Sequence, residues 1–217
     1  MTKKLDKLRA EIDAVDAELV AALARRTRLV AEVASAKPAG SSIFRPGREA
    51  DLKTRLWRMA PEQSRQLIEP VWRPLLRASI ASQKPDFTLA FLPEAQTAAE
   101  IFAADFLHLA PVATAAAGLE MVVSGAADIA FISASDLSAL ASQIGSKAGL
   151  YIIARYKDWF LLGTSLPDPS EADMTIFATK NAAGVEFLER AGYFEHVPAD
   201  LPKSWVIGIY QIASDQI

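Results

Sequence analysis

The sequence predicts a helical first part followed by a small α/β domain, and three observations carry that expectation. Residues 1–36 repeat apolar side chains at heptad spacing, through Leu5, Leu8, Ile12, Val15, Leu19, Ala22, Leu29, Val33 and Ala36. From residue 88 onward, short β-branched and aromatic runs alternate with helix-forming runs, the pattern of an α/β domain. The charge also changes sign. Residues 1–84 hold 17 Lys and Arg against 10 Asp and Glu, the remainder 6 against 16, beneath a net charge of only −3. Lys84-Pro85-Asp86 marks the change, so we expect domains at 1–84 and 86–217.

Taken in order, the first helix should span residues 3–37 and end at Pro38. Pro38-Ala-Gly-Ser-Ser42 reads as a loop. Pro46 suits a first helical position, giving a second helix over 46–59. Ala60-Pro61 reads as a turn with Glu62 opening a third helix, which runs to Gln83. Pro70 and Pro74 lie inside it, and each removes a backbone donor, so a kink or restart is expected near residue 70. Strands are expected at 88–92, 112–114, 128–133, 150–156, 159–163, 174–179 and 205–212. Helices are expected at 97–107, 116–124, 137–144 and 182–191. A helix of 35 residues is about 50 Å long. Three segments in 84 residues cannot cover such a seam by folding back once, so a second copy is expected to complete an all-helical homodimer.

Composition excludes several functions. Without cysteine there is no disulfide, thiolate nucleophile or Cys-based zinc site. The absence of an apolar run of membrane length and of a signal-like N-terminus points to a cytoplasmic chain with no membrane contact. The basic residues of the first part are interspersed with acids and form no aromatic-basic ribbon, which argues against nucleic acid. His108 and His196 have no evident carboxylate or hydroxyl partner in the sequence and read as structural. No metal or cofactor site is legible.

Arg26 is the most informative residue of the first part. It occupies a place in the apolar seam where leucine is expected, and a guanidinium there is costly unless an anion meets it. Lys37 follows eleven residues later, which at about 100° per residue returns to nearly the same face. Two inward cations suggest a pocket for a small polyanion. Arg9, 17 residues before Arg26, falls on another face and would serve the pocket of a second copy. Arg45 reads as a loop charge, Arg48 and Glu49 follow in the second helix, and Ser79 and Gln83 share one face of the third.

These residues resemble the all-helical, AroQ-type chorismate mutases. The matching pieces are Leu8-Arg9-x-x-Ile12-Asp13-x-x-Asp16, Leu23-Ala-Arg-Arg26, Ala36-Lys37, Arg45-Pro-x-Arg48-Glu49 and Ser79-x-x-x-Gln83. The resemblance implies a three-helix domain in an intertwined homodimer with two shared active sites. It also implies rearrangement of chorismate to prephenate in one pericyclic step of aromatic amino-acid biosynthesis (the shikimate pathway), without a cofactor. By this reading Arg26 and a second copy's Arg9 grip the substrate carboxylates. Lys37 and Gln83 donate to the ether oxygen, Glu49 accepts from the ring hydroxyl, Ser79 contacts a carboxylate and Arg48 braces the pocket. The isochorismate-pyruvate lyases share the scaffold, and a non-catalytic binding protein is the other alternative. The Arg48-Glu49 pair favours the mutase.

Thr88-Leu-Ala-Phe-Leu-Pro-Glu-Ala-Gln-Thr97 and Gly125-Ala-Ala-Asp128-Ile-Ala-Phe-Ile132 resemble the opening of a prephenate dehydratase domain, whose lobes are similar to periplasmic binding proteins. That family's Glu-Asn-Ser reads Ser133-Ala134-Ser135 here, and its Thr-Arg-Phe reads Asp158-Trp159-Phe160. The resemblance therefore implies a degenerate domain over 86–217 that lacks dehydratase activity.

Overall fold

The computed structural model describes residues 2–38, 40–59, 65–145, 148–182, 184–201 and 203–211. The chain divides into two compact units, Met1–Ser41 and Ser42–Ile217. The turn expected at Ala60-Pro61 lies outside the described residues, as do Glu62 and the last residue of the strand expected at 205–212.

The first unit is one helix, α1, Thr2–Ala36. It stops where expected, because Pro38 disfavours helical backbone at the residue before it. Ser41 closes the following turn, its N–H donating to the Pro38 carbonyl at 3.2 Å and its hydroxyl at 2.8 Å. Nearly every seam residue of α1 is exposed. Ile12 has 60% and Leu19 56% of its surface open, and Val33 54%.

The second unit opens with α2, Pro46–Met59, and α3, Arg65–Gln83. Pro46 supplies the first helical position, and Glu49 sits in the first turn, where the helix dipole favours an acid. The restart expected near residue 70 does not occur: α3 runs through Pro70 and Pro74 as one helix. The prolines are four apart, so the acceptor that Pro74 leaves without a donor is the carbonyl of Pro70, itself an exposed residue that water can serve.

An eight-stranded mixed sheet fills the rest, in the order β2-β1-β3-β5-β4-β8-β6-β7. Its strands are β1 Thr88–Phe91, β2 His108–Pro111, β3 Ile129–Ser133, β4 Tyr151–Tyr156, β5 Trp159–Gly163, β6 Asp173–Asn181, β7 Gly184–Ala191 and β8 Ser204–Gln211. β1 lies parallel between β2 and β3, joined through α4, Gln96–Ala103, and α5, Ala115–Ser124. Such crossovers are what alternating strands and helices require. The period-two alternation of the strands splits the core between two faces. Leu89, Phe91, Ile129 and Phe131 pack with Phe102 of α4, Phe44 and Ile80 of α3. Ala90, Leu92, Ala130 and Ile132 pack with Leu119 and Val122 of α5 and Leu137 of α6, Ala134–Leu140.

Four expected elements change. The helix expected at 97–107 ends at Ala103, because Ala104 and Asp105 adopt left-handed backbone (φ 49° and 63°) and the Ala104 N–H closes on the Glu100 carbonyl. The next strand is therefore His108–Pro111 and not 112–114, and Thr114 instead caps α5, its hydroxyl accepting from the Ala117 N–H at 3.2 Å. The helix expected at 137–144 begins at Ala134. A capping box places it there, with the Asp136 N–H donating to Ser133 Oγ at 3.1 Å and the Ser133 N–H donating to the Asp136 carboxylate at 3.2 Å. The helix expected at 182–191 is strand β7, paired in unbroken register with β6 from Met174↔Ala191 to Asn181↔Gly184. Glu, Leu, Arg and Ala favour a helix there, but Val185 and Phe187 pack on the core at period two, and cross-strand packing overrides local propensity.

Gly47 fixes how α2 sits on the loop before β6. A Cβ at this position would collide with the backbone carbonyl oxygen of Asp168. Beside it, Arg45 Nε donates to the Asp168 carboxylate at 2.5 Å. The change Gly47→Ala should destabilise the chain by about 1–3 kcal/mol, because backbone on both sides must shift. Thermal or urea unfolding checks this, and an unchanged midpoint would show that the contact is loose.

Candidate active site

The first unit carries Arg9 and Arg26 on α1 and Lys37 just after it. Arg9 is exposed and lies 3.8 Å from Asp6, one turn away. Arg26 is the partly buried cation of the seam, and burial lowers its guanidinium pKa below the usual value. Lys37 is also partly buried, just past the end of the helix. Along the axis, eleven residues separate these two by about 16 Å.

Arg48, Glu49, Ser79 and Gln83 belong to the second unit. Arg48 is exposed on α2. Ser79 and Gln83 are brought together on α3: Gln83 Nε2 donates to the Ser79 carbonyl at 2.8 Å, and Ser79 Oγ donates to the Leu75 carbonyl at 2.7 Å.

Glu49 is held by a residue that the sequence reading passed over. Arg77 is only 3% exposed, and its Nη1 and Nη2 donate to the two Glu49 carboxylate oxygens at 2.8 and 2.9 Å. Its Nε donates to the Phe102 carbonyl at 3.1 Å. Its guanidinium carbon lies 4.1 Å from the Phe102 ring centroid and 5.2 Å from that of Phe44. This bidentate, charge-assisted geometry is the strong form of an ion pair. A signal was present, since Arg77 interrupts the apolar run Leu75-Leu76-Arg77-Ala78-Ser79-Ile80 just as Arg26 interrupts the seam of α1.

About two helical turns before Arg77, Glu69 receives Lys53 at 3.1 Å and Arg73 at 3.3 Å. The Tyr156 hydroxyl and Arg73 Nε are buried nearby without a hydrogen-bond partner among the described residues. Burial pushes the Tyr156 hydroxyl pKa up, and the Arg73 charge draws it down. Among the described residues, no group of three or more His, Asp or Glu is arranged to hold a metal ion. No helix of those residues is long and apolar enough to cross a membrane.

Residues 8–84 match the chorismate mutase type II family. The match begins in α1, ends just past α3, and contains all seven of Arg9, Arg26, Lys37, Arg48, Glu49, Ser79 and Gln83. It stops before the sheet. No curated protein matches the chain. Among solved structures, one described as "GqqA- a novel type of quorum quenching acylases" is similar with TM-score 0.45 and 15% identity, covering 59% of this chain and 97% of that one. A likeness this weak decides nothing about fold or activity.

The ion pairs of the second unit should differ sharply in worth. Arg77→Leu leaves Glu49 buried without its partner and should cost about 3–5 kcal/mol. Arg58→Ala breaks an exposed pair with Glu171, open by 68% and 74% at the two side chains, and should change stability by less than about 1 kcal/mol. Urea midpoints at constant m-value check both, and equal effects would contradict the assignment of Arg77 to the core.

Proposed function

We propose that this chain is a chorismate mutase, converting chorismate to prephenate as a homodimer with shared sites. The observation that carries the reading is the family match over residues 8–84, which includes every grip residue in order. In the proposed site, Arg26 and Arg9 of the second copy bind the two carboxylates by bidentate hydrogen bonds. They hold the enolpyruvyl arm over the ring, and that positioning becomes rate. As the C–O bond breaks, negative charge grows on the ether oxygen, and Lys37 and Gln83 donate to it. Those interactions strengthen in the transition state and so act on the barrier. Ser79 contacts a carboxylate, and Arg48 braces the pocket. A carboxylate has about four lone-pair sites, so Glu49, with Arg77 on two of them, keeps acceptor capacity for the ring hydroxyl. Every step is a binding or hydrogen-bonding role of this chain's own residues.

Dimerisation is supported by the uncovered seam of α1, which has no other evident role for so many apolar side chains. The sheet domain, in this reading, has no dehydratase activity. Ser133 caps α6, and Trp159 stacks on Phe131 with ring planes 10° apart. Two positions that would carry the dehydratase motifs thus serve the fold.

Purified protein should consume chorismate and yield prephenate, while Lys37→Ala should lower kcat by about 10²- to 10³-fold. Release of pyruvate would instead indicate a lyase, and no turnover a binding protein. Because position 83 is an amide, activity should be nearly flat from about pH 5 to 8. A steep loss over that range would contradict the role given to Gln83. Mixing Arg9→Ala with Lys37→Ala, each inactive alone, should restore one working site per mixed dimer. No recovery after verified subunit exchange would mean that each site is built from one copy.

A further inference from the structure

The two edges of the sheet are unlike. β2 is four residues long and ends in Pro111, a short edge closed by a residue that cannot donate. β7 is eight residues long, with the sequence Gly-Val-Glu-Phe-Leu-Glu-Arg-Ala. It has no proline, no lysine and no bulge against β6, so its only edge protection is its own charges, Glu186, Glu189 and Arg190. Leu188, at its centre, is 42% exposed.

The hydrogen-bond phase shows which groups face outward. The Gly192 N–H donates to the Asp173 carbonyl, which makes 173 and 192 a hydrogen-bonded pair of the β6–β7 ladder. Alternation then turns residues 184, 186, 188 and 190 toward β6 and leaves the N–H and C=O of Val185, Phe187, Glu189 and Ala191 at the free edge. Two copies of β7 related by a two-fold axis normal to the sheet must pair residues of like parity, so the axis passes through one residue. An axis at Phe187 sets Glu186 opposite Leu188 and Val185 opposite Glu189. An axis at Glu189 sets Leu188 opposite Arg190 and Glu186 opposite Gly192. An axis at Leu188 sets Leu188 opposite itself and Glu186 opposite Arg190 twice. Those three pairs are the non-hydrogen-bonded ones, where facing side chains are closest. Arg190 already donates to Asp200 at 3.2 and 2.6 Å, and of the five N–H donors of a guanidinium three are left for Glu186 of the second copy.

We infer that β7 is a self-complementary interface, pairing antiparallel with β7 of a second copy about Leu188 and joining two sheets into one. The partner is another copy of this chain, and the charge pairing selects one register. This surface belongs to the sheet unit and is independent of the proposed α1 pairing.

The cysteine-free chain gives a direct test. In the inferred register the two residue-188 Cα atoms lie about 4.5 Å apart, within disulfide reach, whereas residue 186 lies about 14 Å from its own copy. Under mild oxidation, Leu188→Cys should form covalent dimer at least about tenfold faster than Glu186→Cys, which lies on the same exposed face. Adding Arg190→Glu to Leu188→Cys should suppress the cross-link, and adding Glu186→Arg as well should restore it. Glu189→Pro removes an outward N–H and should lower the mass measured by sedimentation. Equal cross-linking at 188 and 186, or no rescue by the double charge exchange, would overturn the inference. A chain that cross-links at 188 but never turns over chorismate keeps this interface and loses only the proposed function. Turnover without the cross-link does the reverse.

Discussion

The uncovered seam of α1 is the constraint from which the rest follows. Leu5, Leu8, Ile12, Val15, Leu19, Leu29 and Val33 form a continuous apolar stripe, and each is roughly half exposed. A helix polar on one side and apolar on the other gains its stability by burying that stripe. Arg26 interrupts the stripe, and a cation inside such an interface is retained only if something negative answers it. In the proposed function a covered stripe and an answered cation belong to a dimer that binds an anion, and the family match over residues 8–84 gives that proposal a chemical identity to test.

The second unit solves its burial problem internally and draws the match into a different setting. α2 and α3, the latter half of the matched segment, belong to the same compact unit as the sheet. Phe44 and Ile80 join the core that covers one face of β1 and β3. Arg77 binds Glu49 with two hydrogen bonds and the end of α4 with a third. The expected boundary at residues 84–86 marks where helices give way to strands, while the compact units part at Ser41 and Ser42. A glutamate proposed to read substrate is thus fixed by a side chain that also touches the α/β part. Its carboxylate orientation depends on Arg77, which lies within the matched segment but between the motif pieces.

Much of this was legible from residues alone. The heptad spacing located α1 within a residue at each end, and Pro38 and Pro46 fixed the loop between α1 and α2. The alternation of apolar runs located most of the strands. The failures have physical causes. Ala104 and Asp105 turn the chain with left-handed backbone that no glycine announces. β7 is built from helix-forming residues and becomes a strand because β6 offers it a full ladder. The capping box at Ser133 and Asp136 is written in the sequence and sets the start of α6. What one helix carries is readable from spacing alone, as with the interruption of the α1 seam by Arg26. The site was not legible where partners lie 28 residues apart, as with Glu49 and Arg77.

The most direct test of the central claim asks whether α1 meets a second α1. The natural absence of cysteine allows one spin label on its polar face, at Glu18→Cys, in the full chain, with distances read by double electron–electron resonance. The account predicts a single, narrow inter-label distance, unchanged when β7 pairing is blocked. Absence of dipolar coupling at concentrations where the chain is fully folded would contradict it.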